Sequence, residues 1–79
     1  MTTRANDIAE SVLRTLDQYF RDLDGEQPTA LYDMVIRNVE RPMLQFVLEK
    51  NHGNQTAAAR MLGINRNTLR RKLEEHGLL

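Results

Sequence analysis

Apolar residues recur every three or four positions in the first quarter of the chain, from Ile8 to Leu23. This spacing places them on one face of an α-helix of about 16 residues. Asn6 or Asp7 is a candidate N-cap for it. Residues 1–7 have no apolar period, so we predict a flexible N-terminal segment followed by a first amphipathic helix.

A second apolar pattern follows a short loop that contains Gly25 and Pro28. It runs from about Leu31 towards Asn51 and occupies more than one face, so we expect this helix to be covered on more than one side. Pro42 lies in its middle, where the missing N–H and the ring predict a kink. No glycine or turn dipeptide flanks the proline, so one bent helix is favoured over two.

Glycines mark the predicted ends of the later helices. Gly53, Gly63 and Gly77 each follow a periodic segment, and glycine readily adopts the left-handed backbone that closes a helix. Leu78 and Leu79 are predicted to fold back as an apolar plug. Because no segment has the alternating pattern of a strand, the predicted fold class is all-α with four helices.

Two short helices are predicted near the C-terminus, over about residues 55–62 and 66–75. Asn54 and Asn65 are the N-cap candidates, because an asparagine oxygen can accept a hydrogen bond from an unpaired backbone N–H in the first turn. Leu69 follows them on the second of these helices. Together these signals predict two helices joined by a tight turn.

The spacing of Ala59, Gly63 and Leu69 is typical of a helix-turn-helix, with a small contact residue, a turn glycine and an apolar anchor. If Leu69 and Leu73 face the core, the outward side of the last helix carries basic and polar residues. We therefore predict that this helix enters the major groove of DNA.

Side-chain chemistry suggests a role for each candidate DNA-binding residue. Arginine can donate two parallel hydrogen bonds to guanine, which makes Arg66 and Arg70 candidates for base readout. Helical geometry places Asn67, Thr68 and Arg71 opposite the two leucines, with Arg70 and Lys72 on the flanks. It places Arg66 near the buried flank, but a long side chain at the first helical position can reach off the end of the helix. Residues that suit phosphate contacts are Asn54, Thr56, Asn65, Thr68, Arg71 and Lys72.

The charge of the chain changes sign along its length. The formal net charge is zero, but residues 1–50 carry six basic and nine acidic side chains, whereas residues 51–79 carry five and two. An acidic half joined to a basic half is typical of a scaffold attached to a phosphate-facing module. Glu74 and Glu75 would repel phosphates in the groove, but they follow the basic residues and can point away from DNA.

The chain is short and has no cysteine among its 79 residues, so neither a disulfide nor the usual cysteine zinc site can stabilise its fold. The two long helices carry more apolar surface than the short ones can cover. A homodimer with a four-helix core would cover it, and a monomeric four-helix domain is the alternative. Neither a membrane span nor a signal peptide is recognisable, so we expect a cytoplasmic protein with no membrane partner.

The string GNQTAAARMLGINRNTLRRKL, Gly53–Leu73, resembles the helix-turn-helix of the bacterial Fis family. It is equally similar to the Fis-type C-terminal domain of NtrC-class activators. The strings LDQYFRDLDG and LYDMVIRNVERPMLQFVLEKNHGNQT resemble the dimerisation helices of Fis, including the proline, here Pro42.

The resemblance implies one Fis-like domain over residues 1–79, with dimerisation helices over 8–52 and a helix-turn-helix over 54–76. It implies an intertwined homodimer that binds double-stranded DNA through the residues named above. Fis proteins bind degenerate sites and bend them, because their recognition helices are too close together for successive major grooves of straight DNA. A nucleoid-associated regulator of transcription is therefore expected.

Two departures from the Fis pattern change the expectation. Enteric Fis has a mobile N-terminal arm that contacts DNA invertases, whereas only seven residues precede the first predicted helix here, so no invertase contact is expected. Enteric Fis also has basic residues at the positions of Glu74 and Glu75, which implies weaker contacts with flanking DNA in this chain.

Three other functions are less favoured by the sequence. The chain could be the DNA-binding module of an NtrC-type activator, although Met1 and the lack of a linker favour a standalone protein. It could be a dimerisation or protein-interaction module that no longer binds DNA, as the zero net charge suggests. An enzyme is not expected, because His52 and His76 belong to no nucleophile–base or metal-ligand pattern, and neither a cofactor nor a small-molecule substrate is implied.

Overall fold

A computed structural model describes residues 4–79 of the chain. These residues form four α-helices and no strand, which confirms the all-α prediction. The helices are α1 (Arg4–Leu23), α2 (Leu31–Lys50), α3 (Gln55–Leu62) and α4 (Arg66–Glu75). The bounds of α3 and α4 agree with those predicted from the two asparagines and the turn glycine.

Helix α1 begins at Arg4, four residues before the predicted start at Ile8. Asn6 and Asp7 therefore lie inside its first turn, and the prediction that one of them caps the helix is wrong. An apolar period reports which residues of a helix are buried, so it does not detect a polar first turn. Residues 1–3 of the predicted flexible segment lie outside the described residues.

The chain divides into two compact units, the first ending at Ala30 and the second comprising Leu31–Leu79. The first unit contains α1, on which Ile8, Leu13 and Phe20 are exposed. The second unit contains α2, α3 and α4, and it holds the buried core of the described chain.

The core of the second unit joins one leucine of α2 to two alanines of α3 and two leucines of α4. All five side chains are at most 3% exposed, and they are Leu44, Ala58, Ala59, Leu69 and Leu73. Alanine lets α3 approach its neighbours closely, and the two leucines of α4 lie one turn apart on a single face. The predicted contact residues of the helix-turn-helix are thus confirmed.

Helix α2 runs through Pro42 without interruption, which confirms one helix rather than two. The kink at Pro42 stays a prediction. The helix ends in a Schellman motif, in which the N–H of Gly53 donates to the carbonyl of Leu48 over 2.9 Å and that of His52 donates to Glu49 over 3.0 Å.

The left-handed C′ position of this motif is filled by His52, with φ of 53°, and not by Gly53 as predicted. Gly53 is the next residue and also has a positive φ of 82°. Histidine is among the non-glycine residues that tolerate this region, so the prediction was wrong by one residue.

The other two predicted glycine stops are confirmed. Gly63 and Gly77 are left-handed, with φ of 74° and 68°. The N–H of Ile64 donates to Ala59, and that of Leu78 donates to Leu73, which completes a Schellman motif at each site. Leu78 packs against the core, but Leu79 is 56% exposed. Of the two leucines predicted to fold back onto the core, only Leu78 therefore does so.

A second face of α2 carries large apolar side chains that remain exposed in the single chain. Their spacing alternates between four and three residues, and they are Tyr32, Ile36, Val39, Met43 and Phe46. We call these five residues the α2 stripe. Alternating spacing of four and three is that of a seam between two packed helices.

Candidate nucleic-acid interface

Two asparagines cap the N-termini of α3 and α4, as predicted. Oδ1 of Asn54 accepts a hydrogen bond from the N–H of Ala57 over 3.0 Å at the start of α3. Oδ1 of Asn65 accepts one from the N–H of Asn67 over 2.7 Å at the start of α4. Each cap therefore fixes its own side chain and one amide at the positive end of a helix dipole.

The core residues of α4 determine which of its side chains face outwards. Leu69 and Leu73 are fully buried, and Arg66, Arg70 and Arg71 are exposed. Arg66, which periodicity placed near the buried flank, is thus exposed, whereas Thr68, predicted to face outwards, is half-buried. Lys72 is also half-buried, and the remaining candidates are exposed, namely Asn54, Thr56, Asn65 and Asn67.

All nine candidate residues lie within the helix-turn-helix of the second unit, on α3, on α4 or on their caps. The first turns of both short helices contain no acidic residue. Backbone N–H groups at such helix ends are suited to phosphate oxygens. The helix-turn-helix therefore offers cationic side chains, amide donors and helix termini within 19 residues of sequence, Asn54 to Lys72.

Two arginines of α4 form ion pairs with acidic residues one turn further along the helix. Nε of Arg70 lies 3.4 Å from Oε1 of Glu74, and Nη1 of Arg71 lies 3.1 Å from Oε1 of Glu75. The two glutamates were expected only to point away from DNA, so these pairs were not predicted. The i,i+4 spacing was the signal that could have revealed them.

A third carboxylate, on α2, holds the C-terminal part of α4. Oε2 of Glu40 accepts a hydrogen bond from Nζ of Lys72 over 2.8 Å, and Oε1 lies 2.8 Å from Nε2 of His76. The side chain of His76 is 3% exposed and that of Glu40 is 16% exposed. His76 is therefore a structural residue, as expected, but its partner lies on another helix.

The charge of Glu40 is stabilised by this arrangement. The hydrogen bond from Lys72 is the main cause that lowers the pKa of Glu40 below its ordinary value of 4.5. Burial acts in the opposite direction, and the bond to His76 adds to the lowering. The carboxylate is thus ionised in the folded protein at neutral pH, and it ties α4 to α2 by two hydrogen bonds.

Replacing Glu40 by glutamine is expected to lower the free energy of unfolding by about 1–3 kcal/mol at pH 7, because both bonds lose their charged acceptor. Since the pKa of Glu40 is lowered by folding, its stabilising effect is full above pH 4.5 and disappears as the pH falls through the folded-state pKa. Urea unfolding at pH 7 and at pH 3 measures both effects.

The matched control for this prediction is Glu49→Gln, which removes the same charge from an exposed position of α2. It is expected to change stability little. A wild-type advantage over Glu40→Gln that persists undiminished at pH 3, or an equal loss in the control, would contradict the role given to Glu40.

Of the four cations of α4, Arg66 alone forms no ion pair with a carboxylate among residues 4–79. Arg70, Arg71 and Lys72 are each within 4.0 Å of a glutamate oxygen. Arg66 also follows the Asn65 cap at the first position of the helix, from which recognition helices reach base edges. It is therefore the most available cation of the candidate interface.

Residues 4–79 contain no group of three or more side chains that could hold a metal ion. No helix in this part of the chain is both long and apolar enough to cross a membrane.

Comparison with known proteins agrees with this geometry. The model of the bacterial regulatory protein Fis family matches residues 35–76, which include α3, α4 and all nine candidate residues. The chain is 55% identical to a Fis-like DNA-binding protein of Ralstonia nicotianae over 94% of this chain and 96% of the relative. It is 53% identical to one of Neisseria meningitidis serogroup B over 92% of each chain.

A third relative is longer. The chain is 49% identical to the DNA-binding protein Fis of Glaesserella parasuis over 90% of this chain and 72% of that protein. The similarity therefore covers both the long helices and the helix-turn-helix.

Proposed function

Because the chain belongs to the Fis family of bacterial regulatory proteins, we propose that it is a homodimer that binds degenerate DNA sites and bends them. It acts in this way as a regulator of transcription and as an architectural protein of the nucleoid. The proposal implies a cytoplasmic protein associated with the nucleoid. It assigns no catalytic role to His52 or His76.

One observation carries the proposal: α4 is held by Leu69 and Leu73 so that its arginines face solvent at the end of a capped helix-turn-helix. A helix presented in this way fits the DNA major groove, which admits one α-helix. The names of the relatives, which describe DNA-binding proteins, agree with this use of the helix.

The candidate residues divide into two roles. Arg66 and Arg70 read base edges, with Asn67 beside them on the outward face, because arginine pairs with guanine through two hydrogen bonds. The residues that position the protein on the backbone of DNA are Asn54, Thr56, Asn65, Thr68, Arg71 and Lys72. Lys72 has three N–H donors, so it can contact a phosphate while one donor remains bonded to Glu40.

The dimer is proposed from the α2 stripe. Five large apolar side chains at helix-seam spacing are exposed in the single chain, and Tyr32 reaches 79% exposure. Such a contiguous apolar surface is characteristic of an interface. Two copies of α2 that pack through this stripe, together with α1 of each subunit, would form a shared four-helix core.

DNA bending is proposed from the resemblance to Fis, in which two recognition helices of one dimer contact a bent duplex. Each subunit of the proposed dimer contributes one α4. Bending brings two major-groove segments to both helices at once, and sequence-dependent flexibility then contributes to site choice.

A second candidate function is a protein-interaction module that does not bind DNA. The ion pairs of Arg70 with Glu74 and of Arg71 with Glu75 favour it, because they neutralise part of the basic face. The two functions differ in one property, which is salt-dependent affinity for duplex DNA.

Fluorescence anisotropy titration with a random-sequence 30-base-pair duplex pool tests the proposal. We expect binding that weakens by about 10³-fold or more between 50 and 200 mM salt, as it does for proteins that neutralise several phosphates. The absence of binding at 50 mM salt, with the helices intact by circular dichroism, would support the interaction module instead.

A further inference from the structure

The two i,i+4 ion pairs of α4 involve residues that the proposed function assigns to DNA. Arg70 faces Glu74 and Arg71 faces Glu75, at 3.4 Å and 3.1 Å, and all four side chains are exposed. The same guanidinium groups are proposed to contact base edges and phosphates. DNA and the glutamates therefore compete for the same two cations.

We propose that Glu74 and Glu75 are specificity-determining residues, which lower the affinity for non-specific DNA more than the affinity for preferred sites. This inference rests on the proposed function. The glutamates act through the arginines that they pair with and through their own charge near the phosphates.

The competition is weak enough to tune binding without preventing it. An exposed i,i+4 ion pair is one of the weaker interactions of a protein surface, so a phosphate or a guanine can displace the carboxylate. The displaced glutamate stays close to the bound DNA, because a spacing of four residues places it only about 6 Å along the helix axis from the arginine. That distance is shorter than the Debye length of about 8 Å at physiological salt, so the carboxylate still repels nearby phosphates.

Non-specific and specific binding depend on this competition to different degrees. Non-specific affinity comes almost entirely from phosphate neutralisation, which the glutamates oppose. A preferred site adds base contacts and favourable deformability, which do not depend on the net charge of α4 to the same extent. Arg66 has no paired carboxylate in residues 4–79, so its base readout is not weakened in this way. Arg70 must displace Glu74 in either mode, but at a preferred site two hydrogen bonds to guanine compensate for the displacement.

Glu40 differs from these two residues and is excluded from the inference. It is only 16% exposed, and it lies between Lys72 and His76, where it fixes α4 to α2. Its replacement changes stability, whereas replacement of the two exposed glutamates is expected to leave the fold intact.

The test compares Glu74→Gln/Glu75→Gln with the control Glu10→Gln/Asp17→Asn. The control removes two charges and two exposed i,i+4 pairs of the same kind, Glu10 with Arg14 and Asp17 with Arg21, from α1. Anisotropy titrations use the random 30-base-pair pool and a duplex selected from that pool by the wild-type protein, over a range of salt concentrations. A second variant, with alanine at 74 and 75, removes the charges with the residue that best favours a helix.

The expected result is a rise of about 10-fold in affinity for the random pool and a smaller rise for the selected duplex. The slope of log affinity against log salt should steepen by up to about 0.9 for each additional phosphate that a freed arginine neutralises. The control should change neither the ratio of the two affinities nor the slope.

If the variants and the control bind both duplexes alike, the inference is overturned while the proposed function stands. If the glutamine variant gains affinity for both duplexes by the same factor, the glutamates weaken binding without changing specificity, and the inference is overturned. If the wild type does not bind the random pool, so that no duplex can be selected, the proposed function fails and the inference fails with it.

Discussion

Replacing Met43 by aspartate is expected to abolish the dimer and, with it, the folded subunit. Met43 is 46% exposed in the single chain and lies within the α2 stripe, between Val39 and Phe46. In the proposed dimer it is covered by the partner, so the variant buries an unpaired charge. The effective penalty is several kcal/mol per ion, a large part of the about 5–15 kcal/mol that stabilises a typical domain.

Sedimentation equilibrium and circular dichroism measure this outcome together. We expect the wild type to sediment as a dimer and Met43→Asp to lose both the dimer mass and most of its helical signal. Val39→Asp, one turn earlier in the stripe, is expected to behave in the same way. Gln45→Asp adds the same charge at an exposed position outside the stripe and should leave mass and helicity unchanged.

A stable, fully helical monomer of Met43→Asp would contradict an intertwined dimer, because such a dimer shares its core between subunits. The small core of the second unit makes this outcome unexpected. Only three large side chains are fully buried in the described chain, Leu44, Leu69 and Leu73. A core of this size is marginal for an independent domain.

Replacing Arg66 by alanine is expected to cost about 1–3 kcal/mol of binding free energy at a preferred DNA site and to flatten the preference among bases. Arg66 is exposed at the start of α4, and no carboxylate among residues 4–79 is paired with it. Its loss therefore removes a base contact and a full positive charge. Arg70→Ala should flatten base preference as well, with a smaller change in salt dependence because Glu74 already offsets part of its charge.

Binding selections with each variant against a randomised duplex library measure base preference directly. Arg60→Ala is the matched control, since it removes an exposed arginine of α3 that is not among the candidate residues. It should alter overall affinity at most and leave the ranking of sequences intact. A ranking that is unchanged in Arg66→Ala and Arg70→Ala would show that the base-readout assignment is wrong.

Local signals made most of the helix-turn-helix predictable from the sequence. The caps at Asn54 and Asn65 and the turn at Gly63 depend only on neighbouring residues, so the bounds of α3 and α4 followed from them. Burial of Leu69 and Leu73 followed from helical periodicity.

Features with weak or distant signals were not predicted. The first turn of α1 is polar, so the apolar period did not report it. His52 adopts a left-handed backbone next to a glycine that could do so at less cost. Glu40 meets Lys72 and His76, which are 32 and 36 residues away, and no pattern in a single sequence reveals such a contact.

The ion pairs of α4 were missed for a different reason. Their i,i+4 spacing is visible in the sequence, but the same arginines also have the chemistry to contact DNA. Spacing alone does not decide which of the two partners such a side chain contacts. These two positions distinguish the charged face of this chain from a simple basic surface.

The proposed function requires that a dimer of this chain binds duplex DNA and bends it. The most direct measurement is a gel-shift titration with circularly permuted DNA fragments at two salt concentrations, combined with the mass of the free protein. We expect a dimer whose complexes migrate most slowly when the site is central, with affinity that falls steeply as salt increases. A dimer that shifts no fragment, or whose complexes migrate alike wherever the site lies, would contradict it.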